Sequence, residues 1–70
     1  MNYNYKYLKL MRKQKNYTAS EISKLIGIDQ SNYSKIENGK YQGLNFLQLS
    51  KLTETLDLDL YKLLLIERNI

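Results

Sequence analysis

Gln30, Ser31, Asn32, Ser34 and Lys35 lie within one six-residue stretch and give it short hydrogen-bonding side chains with a cation one turn further on. The stretch reads as the opening of a helix, with Asp29 before it as N-cap. Tyr33 and Ile36, at i and i+3, face inward and leave Gln30, Ser31, Ser34 and Lys35 on the outer side. Such a helix suits a major groove, where Gln or Asn can pair with adenine through two hydrogen bonds and Lys can donate to guanine. Catalysis finds no comparable set. The chain has no His and no Cys, no glycine-rich phosphate loop and no HExxH pattern, and its seven acids are scattered through capping and surface positions. No enzyme, metal site or cofactor is expected.

Two elements must hold that helix. Thr18-Ala19-Ser20-Glu21 is a capping box, in which the Thr18 hydroxyl accepts from the Glu21 amide and the Glu21 carboxylate accepts from the Thr18 amide. The helix it opens presents Ile22, Leu25 and Ile26 on its apolar face and ends at Gly27, a residue suited to a left-handed backbone. Ile28 turns inward and Asp29 opens the next helix, which Asn38-Gly39 ends. Asn-Gly can also close a hairpin, but its flanks do not alternate as strands do, so a helix end is favoured. Residues 18–39 thus read as two helices joined by a tight corner.

Around them the spacing predicts a helix over Tyr5–Lys15, another opened by Asn45 with Gln48 in the reciprocal position, and a last one from Asp59 to Glu67. The fourth helix carries a stripe of Phe46, Leu49, Leu52 and Leu56. The fifth places Leu60, Leu63 and Leu64 on the core, leaving Tyr61, Leu65 and Ile66 as a second apolar surface. An exposed apolar patch on a small domain marks a partner site, and a two-fold dimer is the expected use. The alternative is that the chain end folds back over it.

Seventy residues suffice for one domain, residues 1–70, and chains of this size hide only about 60% of the surface their unfolded form exposes. Without disulfides or zinc, stability must come from apolar packing, with dimerisation as a further source. No apolar run approaches the roughly 20 residues of a membrane span, and the start lacks a signal-peptide core, so a cytoplasmic protein without membrane contact is expected. Charge is uneven: residues 1–40 carry eight Lys/Arg against three acids, and residues 41–70 carry three against four. A basic half containing the polar helix favours a polyanion.

From Leu8 to about Leu64 the chain resembles the phage-repressor and Cro-type (XRE-like) helix-turn-helix family. The matching pieces are LKLMRKQKNYTASEIS, KLIGIDQSNYSKIENGK and NFLQLSKLTETLDLDLYKLL, with IENGK the most specific. The resemblance implies an all-α, five-helix, lambda-repressor-like fold whose helices 2 and 3 form the helix-turn-helix. It implies a homodimeric repressor that binds double-stranded DNA at an inverted-repeat operator. Gln30, Ser31, Ser34 and Lys35 would touch bases; Thr18, Asn32, Tyr33, Asn38, Lys40 and Tyr41 would touch phosphates. Arg12 and Glu37 would form a partly buried ion pair tying the first helix to the third, and Tyr61, Leu65 and Ile66 would lie at the dimer interface.

Three positions depart from the family pattern. Ala19 stands where Gln is common, which removes one phosphate anchor and a brace for Gln30. Ser23 replaces Ala where the two helices approach, with its hydroxyl expected to bond back to the carbonyl of Ala19. Tyr33 replaces an aliphatic core residue, so its hydroxyl must find a partner or reach the surface, where it would meet a phosphate. The missing anchor and the apolar last helix support an alternative reading, a protein-interaction module of antitoxin or anti-repressor type on the same fold. No small-molecule ligand is expected.

Overall fold

Among the described residues, four helices are opened by a side-chain cap and four are followed by a left-handed residue that turns the chain. In a computed structural model, which describes residues 4–40 and 43–64, the elements are α1 (Tyr5–Gln14), α2 (Ala19–Ile26), α3 (Gln30–Glu37), α4 (Phe46–Leu56) and α5 (Leu60–Leu63). There is no strand among the described residues. The α2 capping box is formed in both directions, Glu21 N to Thr18 Oγ1 at 3.1 Å and Thr18 N to Glu21 Oε1 at 2.9 Å. These bonds hold the Glu21 carboxyl below its usual range. A second reciprocal pair opens α4, where Gln48 N donates to Asn45 Oδ1 at 2.8 Å and Asn45 N to Gln48 Oε1 at 3.1 Å. Asp59 opens α5 by accepting from the amides of Tyr61 and Lys62.

The helix ends share a device that the sequence shows only in part. Asn16, Gly27, Gly39 and Asp57 all have positive φ, between 51° and 74°. After each one the chain turns back to donate an amide to a carbonyl five residues earlier: Tyr17 to Arg12, Ile28 to Ser23, Lys40 to Lys35 and Leu58 to Thr53, at 2.8–3.1 Å. This satisfies carbonyls that the helix leaves orphaned. Gly27 and Gly39 are the glycines expected at such ends, while Asn16 and Asp57 are the residue types that tolerate the left-handed region next best.

The core is small and shared among all five helices: Leu8, Ile22, Ile26, Tyr33, Ile36, Leu52, Leu56, Leu58 and Leu63 are buried. Within it α3 packs on α2 and α1, α2 packs on α4, and α1 meets α5. Two further bonds lock α1 to α5: Asn4 N donates to the Leu63 carbonyl at 2.7 Å, and Asp59 N to the Tyr7 hydroxyl at 2.8 Å.

Three apolar side chains expected in the core lie outside it. Leu25 is 48% exposed because α2 buries the face through Ile22, Ser23 and Ile26, and Leu25 stands about 100° round the helix from Ile26. Phe46 is 84% exposed. Burial falls along its stripe from Leu56 and Leu52 through half-buried Leu49, so the first turn of α4 extends past the helices it packs on. Leu60, at 44%, begins a helix that buries only Leu63. Phe46, Leu49 and Leu60, with Ser50, Thr53 and Glu54, line an open groove of about 310 Å³ between α4 and α5. The continuation of the last helix to Glu67, with Leu65 and Ile66, lies outside the described residues. No helix among those residues is long and apolar enough to cross a membrane.

Candidate nucleic-acid interface

The corner between α2 and α3 is three residues long, Gly27, Ile28 and Asp29, and everything on α3 is aimed by it. Gly27 at φ +72° ends α2, half-buried Ile28 packs against the core, and Asp29 starts α3 from an extended backbone. Asp29 does not cap in the expected way, because its side chain bonds to none of the α3 amides. Its carboxylate instead accepts from the Ser31 hydroxyl. An Asp two residues before a Ser offers this local bond as a competitor to capping, and here the competitor wins.

The inner face of α3 is Tyr33, Ile36 and Glu37, all buried. At about 100° per residue, the opposite face carries Ser31, Lys35 and Asn38, with Gln30 and Ser34 along one edge. Gln30, Ser31, Lys35 and Asn38 are exposed; Asn32 and Ser34 are half-buried. Lys40 is exposed just past the end of the helix. Thr18 is exposed at the start of α2, and while its oxygen serves the capping box, its hydroxyl hydrogen remains available to a further acceptor. Tyr41 lies outside the described residues.

Arg12 and Glu37 are brought together across 25 residues of sequence. The guanidinium meets the carboxylate with two bonds, Nε to Oε2 at 2.7 Å and Nη2 to Oε1 at 3.0 Å, and its Nη1 donates to the carbonyl of Tyr17 at 2.7 Å. Both residues are buried. The Glu37 bond raises the pKa of Arg12, so its charge is more firmly held than in water. One side chain thus fastens α1, the α1–α2 connection and the last residue of α3. The Arg12–Glu37 pair is the one that the family resemblance implies; the Tyr17 carbonyl has no signature in the sequence.

Tyr33 is corrected by the structure. It is fully buried, with 0% exposure, which removes it from any set of phosphate contacts. The ring of a core-facing residue is swallowed whole here, as an aliphatic side chain would be. Its hydroxyl has no hydrogen-bond partner of good geometry, and burial, reinforced by the nearby Glu37 carboxylate, pushes the phenol pKa well up. A buried hydroxyl without a partner costs roughly 1–3 kcal/mol. Tyr33→Phe is therefore expected to raise the urea midpoint of unfolding. A loss of about 1 kcal/mol or more would instead show that the hydroxyl pairs with Glu37 in solution.

Ser23 is the second correction. It is buried at the approach of α2, but its hydroxyl donates to the Ser20 carbonyl at 2.8 Å, one residue later than the expected Ala19. The bond satisfies the hydroxyl within its own helix and lets Ser stand where the packing needs a small residue.

A helix-turn-helix domain model matches residues 5–67. The chain belongs to the XRE-like helix-turn-helix family. The match spans all five helices, so the whole fold, and not the α2–α3 pair alone, is that of an XRE-like helix-turn-helix domain. This is a family of DNA-binding domains. No curated protein and no solved structure matches the chain.

Proposed function

We propose that this helix-turn-helix protein is a sequence-specific transcriptional regulator of double-stranded DNA, a homodimeric repressor that lays α3 in the major groove of an inverted-repeat operator. The observation that carries the reading is the division of α3. Its inner face is fixed by buried Tyr33, Ile36 and Glu37, and its outer face and edge offer Gln30, Ser31 and Lys35 to solvent. A reading helix must be rigid on one side and free on the other. In this arrangement Gln30, Ser31, Ser34 and Lys35 face base edges, and Thr18, Asn32, Asn38 and Lys40 face phosphates on either side. Half-sites about 34 Å apart would match a two-fold dimer. On this reading the exposed Tyr61 would contribute to the dimer contact; its two expected companions, Leu65 and Ile66, lie outside the described residues.

Base and backbone roles make opposite demands on a pair of variants. Gln30→Ala is expected to relax choice at one base pair by roughly 1–3 kcal/mol, while Lys40→Ala weakens specific and random duplex alike. Both are read by competition binding against a selected operator. Equal losses on specific and random DNA for both variants would overturn the assignment of roles.

The apolar groove between α4 and α5 favours a second reading, a module of antitoxin or anti-repressor type that uses the same fold to hold a protein. A salt-sensitive shift of duplex DNA by the isolated chain supports the first reading, and its absence the second.

A further inference from the structure

The Asp29–Ser31 pair changes what the leading end of α3 can recognise. An Asp carboxylate has only acceptors, and a serine hydroxyl has a single hydrogen, which Ser31 spends on Asp29. Both residues are exposed, and neither is used to cap the helix, so what the pair presents outward is lone pairs alone. The nearest donors are the backbone N–H groups that open α3, which no side chain caps, then the Gln30 amide on the edge of the helix and Lys35 one turn further on.

The four bases differ in how they meet such a surface in the major groove. Cytosine shows only an amine donor. Adenine shows an amine beside the N7 acceptor, guanine two acceptors, and thymine an acceptor and a methyl group. A surface of acceptors is matched by cytosine and opposed by guanine, whose O6 and N7 would face a carboxylate across a desolvated contact. Ser31 contributes by fixing the carboxylate in place before binding, so that less conformational freedom is lost on contact.

We propose that Asp29, held by Ser31, is a specificity-determining residue that selects cytosine at the base pair facing the start of α3 and rejects guanine there. This rests on the reading that α3 enters the major groove. The same carboxylate repels the phosphate backbone, so Asp29 lowers affinity for DNA in general while adding discrimination at one position.

The test is enrichment of binding sites from a random duplex library by the full chain, run in parallel for wild type, Asp29→Asn and Ser31→Ala, with helicity checked by circular dichroism. Wild type is expected to enrich a half-site with cytosine at one position, discriminated from guanine by roughly 5- to 140-fold. Asp29→Asn should shift that position toward adenine, which Asn can meet through both N6 and N7, and should bind random duplex more tightly. Ser31→Ala, which leaves the carboxylate in place but unheld, should weaken the cytosine preference at that position. A wild-type motif that Asp29→Asn reproduces at every position overturns the proposal and leaves the DNA reading standing. A wild-type library without any enriched motif overturns both. If Asp29→Asn does not fold, Ser31→Ala decides alone: an unchanged cytosine preference overturns the proposal.

Discussion

Arg12→Ala is expected to remove about 3–5 kcal/mol of folding stability, the range for taking away one partner of a buried ion pair. A domain of this length has about 3.5–10 kcal/mol in all, so the variant should be partly or wholly unfolded at room temperature. The loss is large because the guanidinium satisfies three acceptors at once. Without it, the Glu37 carboxylate and the Tyr17 carbonyl lose their guanidinium donors in a buried setting. Replacing both charges, as Arg12→Met with Glu37→Leu, should recover much of the loss, since a buried pair exchanged for apolar side chains is often neutral. Urea unfolding followed by circular dichroism measures both. A single-variant loss below about 1 kcal/mol would mean that the pair behaves as a solvated surface contact. The coupling reaches function because Glu37 ends α3: a domain that retains its helices but loses the clamp should lose sequence discrimination before it loses binding to random DNA.

Raising salt from 50 to 200 mM should weaken duplex binding by about 500-fold if about five phosphates are neutralised, since the slope of log affinity against log salt is then near −4.5. Lys9, Lys13, Lys24, Lys35 and Lys40 are all exposed and form the pool for those contacts. Each one removed should lower the slope by about 0.9 if it touches the backbone, and leave it unchanged if it only solubilises its helix. Fluorescence anisotropy with a labelled duplex across the salt series resolves the difference. A slope shallower than about −1 would leave too few backbone contacts to hold a reading helix in a groove, and would turn the interpretation toward a protein partner.

The order of helices was legible because their boundaries are written in local chemistry. Thr18 with Glu21, Asn45 with Gln48, and the glycines at 27 and 39 each act on neighbours within a few residues, and the structure shows each at work. What the sequence could not show is which face of an amphipathic helix has something to pack on. Leu25, Phe46 and Leu60 have the right spacing for a core, but they remain 44–84% exposed. Side-chain choices between two good partners were also hidden: Asp29 could cap α3 or bind Ser31, and Ser23 could reach Ala19 or Ser20, with small energy differences deciding. The i, i+3 spacing of Tyr33 and Ile36 turns Tyr33 inward, yet the depth of its burial depends on α1, which meets α3 only in three dimensions.

The bond from the Asn4 amide to the Leu63 carbonyl places the start of the first helix beside the last described one. A domain whose α1 and α5 touch can be joined there by a short flexible tether and opened elsewhere at little entropic cost. Opening at exposed Gly43 would leave α2, the corner and α3 continuous and would make α4 the first helix of the new chain. Both new ends would then emerge between α3 and α4, and a partner domain could be attached there without lengthening the path between the two helices that form the corner.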